Sequence, residues 1–166
     1  MEVEQLFRIS KNQIVWGGNN FELPTSEYFI VWDKGQMMPS FARCEMAWTN
    51  CKVPAKMYAK RSQDLERIHP TQKPTDLYSW LLINYAKEGF KILDTHFGSG
   101  SIALEVDKAN RLDKMNLHLT ACEIDKEYID KAIKAPRDNL LFEFLNGSFS
   151  PVPIFLFTRI FRILLI

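Results

Sequence analysis

The chain is short of cysteine, has no surplus of either charge and contains no long apolar run. Its three cysteines, Cys44, Cys51 and Cys122, are odd in number and form no Cys-x-x-Cys pair. That argues against a disulfide framework or a zinc site, and for reduced thiols in the cytoplasm. Lysine and arginine number 21 against 20 acidic residues, a net charge of +1. Any nucleic-acid face must therefore be a local patch. The most apolar stretch, Ile154 to Ile166, is interrupted by Arg159 and Arg162. It is too short and too charged for a membrane span, which needs roughly 20 mostly apolar residues. The N-terminus, MEVEQLFRISKNQ, lacks a basic start followed by an apolar core, so no secretory signal is expected.

What remains is ordinary for a globular protein. Hydrophobic residues make up 46% of the 166 positions and charged residues 25%, so one domain with a full core is within reach. Gln13 to Trp16 reads as a strand ended by Gly17-Gly18, and Tyr28 to Trp32 as a second. Phe41 to Trp48 carries a weaker alternation. Residues 52 to 68 are polar and basic and read as a loop or short helix. A helix capped by Thr75 or Asp76 is expected next, with Leu77, Trp80, Leu81, Ile83 and Tyr85 as its apolar side. Then come a strand at Lys91 to Asp94, a glycine turn, a helix starting at Ile102, a strand at Leu117 to Cys122 and a helix from Ile124 to Ala135. That alternation is a βαβ unit and implies a parallel sheet. Trp16, Trp32, Trp48 and Trp80 are expected in the core.

Two stretches carry chemistry. In DTHFGSG, residues 94 to 100, glycines stand between a strand and a helix, where a ligand can approach the backbone and the helix N-terminus. No lysine follows as a triphosphate loop requires. Gly98, Gly100 and Ala103 meet the looser dinucleotide pattern. Asp94, at the strand end, favours a ligand with an ammonium group, which S-adenosylmethionine has and NAD lacks. Glu123, ending the next strand, suits ribose hydroxyls in either ligand. A bare tight turn with Asp94 as a helix cap is the plain alternative. The second stretch is HPTQKP, residues 69 to 74. Its prolines stiffen a turn, but they do not account for His69, Gln72 and Lys73 together.

HPTQKPTDLYSWLL, ILDTHFGSGS and ACEIDKEY together resemble the amino-group DNA methyltransferases that make N6-methyladenine or N4-methylcytosine. The order is the one in which the cofactor motif comes late. NQIVWGGNNF, YFIVWDKG and FARCEMAW resemble phage-like members, and the likeness runs from about Asn12 to Ala135. It implies an α/β Rossmann-like S-adenosylmethionine-dependent methyltransferase fold, with Thr71, Gln72, Lys73 and Pro74 walling the cofactor site. Asp94, Phe97, Gly98 and Gly100 would form the cofactor loop, and Glu123 would hold the ribose. Thr95-His96 stand where the family usually has proline and the next residue. Double-stranded DNA is the implied substrate, no metal is implied, and Lys52 to Arg67 is a candidate phosphate contact.

The family's catalytic Asp/Asn/Ser-Pro-Pro-Tyr/Phe tetrapeptide occurs nowhere in the sequence. In relatives it precedes the GGNNF strand and lies on the central strand beside the cofactor strand. Asn19-Asn20-Phe21 is no substitute, since it follows the wrong strand and has no prolines. The expectation is thus an incomplete fold that is inactive alone: a partial methyltransferase domain over 1–137 and an atypical apolar tail over 138–166. The tail could be a strand filling the gap, a swapped element, an aggregation hazard or the product of a disrupted gene. The other readings are a cofactor-binding remnant paired with a chain that supplies the missing segment, a dinucleotide oxidoreductase, and a purely structural protein.

Overall fold

In the computed structural model, residues 3–61, 72–128, 130, 142–144 and 163–165 are described. They build one eight-stranded sheet in the order β4-β2-β3-β1-β8-β5-β6-β7. The strands are β1 (Gln13–Trp16), β2 (Phe29–Asp33), β3 (Cys44–Thr49), β4 (Lys56–Ala59), β5 (Lys91–Asp94), β6 (His118–Ala121), β7 (Phe142–Phe144) and β8 (Ile163–Leu165). The described helices include α1 (Val3–Ile9), α2 (Thr75–Tyr85) and α3 (Ser101–Leu112).

Strand direction fixes where a site can lie. β3 is antiparallel to β1 and β2, and β8 is antiparallel to β1 and β5. The parallel pairs are β2 with β4, β5 with β6, and β6 with β7. All strands except β3 and β8 therefore point the same way, and their carboxyl ends share one edge. Ligands of open α/β sheets bind along such an edge.

The pleat sorts the core into two layers. Ile14 and Trp16 of β1, Ile30 and Trp32 of β2, and Ile92 of β5 share a cluster with Leu77 and Leu81 of α2 and Ile102 and Val106 of α3. Val15 and Trp48 lie in a second cluster with Leu6 of α1, and Leu93 packs against it. Asp94, two residues after Ile92, points to the same face as Trp16 and Trp32.

The α/β expectation holds, and two local expectations are corrected. Residues 56–59, expected in a loop or short helix, form edge strand β4, because their backbone pairs with β2. α2 has neither Thr75 nor Asp76 as its cap: Pro74 occupies that position without a side-chain cap bond. Asp76 instead pairs with Lys60. The helix closes at Ala86, whose N–H donates to the Leu82 carbonyl. The apolar tail supplies β8, which occupies the slot beside β5. Leu164 is opposite both Ile14 and Asp94. Of the expected helix from Ile124 to Ala135, residues 126–128 are helical and residues 131–135 lie outside the described residues.

Candidate active site at the carboxyl edge

Asp94 is the last residue of β5 and is fully buried. It caps no helix. Its Oδ1 accepts the His96 N–H at 3.0 Å, which turns the chain out of the strand. Two backbone bonds then bind this turn to the end of β6. Cys122 N–H donates to the Asp94 carbonyl at 2.8 Å, and Phe97 N–H donates to the Cys122 carbonyl at 2.9 Å. The Phe97 ring is buried in the helix-side core. Gly98 and Gly100 hold φ values of 53° and 71°, in the left-handed region that disfavours a Cβ. Gly100 caps α3, so the positive end of that helix opens at the loop.

Glu123 reaches back from the end of β6 to this loop. Its Oε2 accepts the Gly98 N–H at 2.7 Å, and its Oε1 accepts the Ile124 and Asp125 N–H groups at 2.9 and 3.1 Å. A carboxylate has about four lone-pair positions, so capacity remains for a hydroxyl. Burial pushes the Cys122 thiol pKa up, and the negative fields of Asp94 and Glu123 push it further. Cys122 therefore stays a thiol and offers no nucleophile here.

The polar turn before α2 comes to the same edge further along. Lys73 is buried. Its ammonium pairs with Glu45 of β3 and sits 4.6 Å from the centre of the Trp16 ring and 5.3 Å from that of Trp32. Lys34 holds the other Glu45 oxygen at 2.6 Å. Trp16 ends β1, and only β8 separates β1 from β5. Two strand spacings put this cluster roughly 10 Å from Asp94 along the edge. Pro74 is buried and Gln72 half-buried. Thr71, His69 and Pro70 lie outside the described residues, as does the part of the basic stretch from 62 to 67. Asn19 and Asn20 are exposed in a 3-10 turn after β1, where Asn20 Nδ2 donates to the Gly17 carbonyl.

Residues 3–134 match the family profile N6_N4_Mtase, described as DNA methylase. The chain belongs to this family. Its fold is accordingly of the α/β S-adenosylmethionine-dependent methyltransferase type. Among solved structures, the crystal structure of the M1.HpyAVI–SAM complex is similar at 25% identity, with a TM-score of 0.49. The match covers 64% of this chain and 59% of that one, so this chain spans about three fifths of that protein's length.

The sequence reading missed the seat of Lys73. Glu45 was one polar residue in the alternation of FARCEMAW, and Trp16 and Trp32 were expected simply as core. The contact from Lys73 to Glu45 spans 28 positions, and a local pattern carries no such signal. Among the described residues no helix is long and apolar enough to cross a membrane, and no His, Cys, Asp and Glu cluster could hold a metal.

Proposed function

We propose that this chain binds S-adenosylmethionine at the carboxyl edge of the sheet. The observation that carries the reading is the meeting of Asp94, the Gly98–Gly100 turn and Glu123, closed by the Gly98 N–H to Glu123 bond. A buried carboxylate at a strand end suits the ammonium of the amino-acid moiety. Glu123 suits the ribose hydroxyls, and the glycines let the ligand lie against backbone. Phe97 supports the loop from inside. Gln72, Lys73 and Pro74 wall the site from the α2 side in this reading, with Thr71, outside the described residues, as the fourth candidate. When bound, S-adenosylmethionine supplies a methyl group on a sulfonium, and the protein's share is to hold the acceptor amine in line with it.

The acceptor in this reading is an exocyclic amine of double-stranded DNA, adenine N6 ahead of cytosine N4, reached by base flipping. The chain contains no Pro-Pro-aromatic element to activate and stack such a base. In this reading methylation of DNA needs that element from outside residues 1–166, as from a partner chain, and these residues alone bind cofactor without transferring the methyl. The partial methyltransferase domain extends over 1–137, and the tail over 138–166 adds β7 and β8 to its sheet, within a cytoplasmic protein of phage-like type.

Calorimetry of the purified chain with S-adenosylmethionine, NAD as the control ligand and Asp94→Ala alongside tests the proposal. Expected are heat with S-adenosylmethionine alone and an affinity at least about tenfold weaker in the variant, the loss that follows when one charge-assisted bond goes. Heat with NAD, or binding indifferent to Asp94, points to a dinucleotide site or another ligand. Methyl transfer from radiolabelled cofactor to duplex DNA by the chain alone overturns the requirement for a partner.

A further inference from the structure

Lys73 is the buried cation among the described residues. An ammonium out of water keeps its charge only where an opposite charge and other polar or π groups replace the lost hydration. Here the replacement is specific. Glu45 meets Lys73 with one carboxylate oxygen and Lys34 with the other, and the faces of Trp16 and Trp32 lie below the Lys73 ammonium. All three partners of Lys73 come from strands β1 to β3, and Lys34, which shares Glu45, directly follows β2. Lys73 itself belongs to the turn that leads into α2, between half-buried Gln72 and buried Pro74. The Lys73 side chain therefore ties the turn to the sheet across the fold.

We propose that Glu45 is a positioning residue: with Trp16 and Trp32 it seats Lys73 and so fixes the Gln72–Pro74 turn against the carboxyl edge where the cofactor binds. The last clause rests on the cofactor reading above; the seat itself does not. Glu45 touches no ligand in this scheme and acts only through Lys73. Lys34 is secondary, because it is less buried and follows its strand directly. The lowered pKa of the Glu45 carboxyl agrees with a carboxylate held between two cations.

Two measurements on the intact chain test this. Amine acylation followed by mass spectrometry reads the seat directly. Lys73 should be slow to react in the wild type, and Glu45→Gln should speed it on the order of tenfold, as loss of one charge-assisted bond implies. Exposed Lys91 serves as the internal reference and should not change. Lys34→Met should move Lys73 reactivity far less. S-adenosylmethionine affinity of Glu45→Gln, Lys73→Met and the double variant then reads positioning. If Glu45 acts through Lys73, the double variant binds no more weakly than Lys73→Met alone. A Glu45→Gln protein with unchanged Lys73 reactivity overturns the seat, and additive losses of affinity overturn action through Lys73. A wild type that binds no cofactor removes the cofactor reading, and with it the role of the turn in binding; the acylation result still decides the seat.

Discussion

Strands β4, β2, β3 and β1 stand on one side of β8, and β5, β6 and β7 on the other. The two groups are held together differently at the carboxyl edge. In the first group, side chains make the long-range ties: Trp32 Nε1 donates to the Lys60 carbonyl, and Lys73 crosses to Glu45. In the second, backbone does most of it. Cys122 is laced to both Asp94 and Phe97, and the carboxylates of Asp94 and Glu123 bind backbone N–H groups. The difference suits the two tasks. A loop that must let a ligand lie against it is best shaped by backbone and glycine. A turn that must come from a distant part of the chain needs side chains long enough to reach.

The sharpest way to break the comparison is to separate the two groups. Leu164 of β8 pairs with Ile14 on one flank and Asp94 on the other. Proline there removes an N–H from a strand paired on both sides and places its ring in the ladder. We expect Leu164→Pro to cost about 3 kcal/mol or more, a large part of a typical domain's stability. The denaturant midpoint should fall accordingly; proline at exposed Lys52 is the control, because that loop residue lies in no ladder. A Leu164→Pro protein with the wild-type midpoint would mean that the two strand groups hold together without β8.

The second test weakens only the side-chain group. Burial pushes the Glu45 carboxyl pKa up, yet Lys73 and Lys34 outweigh burial and leave it below its ordinary value of 4.5. A carboxyl whose folded pKa is depressed contributes stability above its unfolded pKa and loses it as pH falls through the folded one. The pair should therefore stabilise the protein at neutral pH and fade below about pH 4.5. Lys73→Met, which removes the partner with the larger electrostatic effect, should narrow the difference in denaturant midpoint between pH 6 and pH 4. An identical acid dependence in both proteins would show that Glu45 gains nothing from Lys73. The glycine loop should be indifferent to this variant, since its ties are made by backbone and Glu123.

The same division explains what the sequence disclosed. Asp94, Gly98, Gly100 and Glu123 are read from spacing because a strand, a turn needing positive φ and a helix start must follow one another within a few residues. Their contacts are local in sequence or made between adjacent parallel strands. β4 was not legible, since KMYA is too short to alternate and owes its form to pairing with β2. Nor was the antiparallel course of β8: an apolar run announces a buried strand but not its slot or direction. The Lys73 seat needed the folded chain, because Glu45 and both tryptophans come from separate strands.

The smallest expected effect concerns a polar atom that neither kind of tie satisfies. Tyr85, at the end of α2, is buried, and its hydroxyl has no hydrogen-bond partner among the described residues. Burial pushes its pKa up to about 12, and the field of Cys51 adds to this, so it remains a neutral phenol across the working range. The ring packs edge-on against Trp80 at 6.2 Å, and that contact does not need the oxygen. Tyr85→Phe removes an unpaired donor and keeps the ring, so stability should hold or rise by up to about 1 kcal/mol. A loss larger than that in thermal or denaturant unfolding would show that the hydroxyl is bonded in solution. Its partner would then be sought in a buried water or among residues 62–71, and the first strand group would have one more side-chain tie than the structure displays.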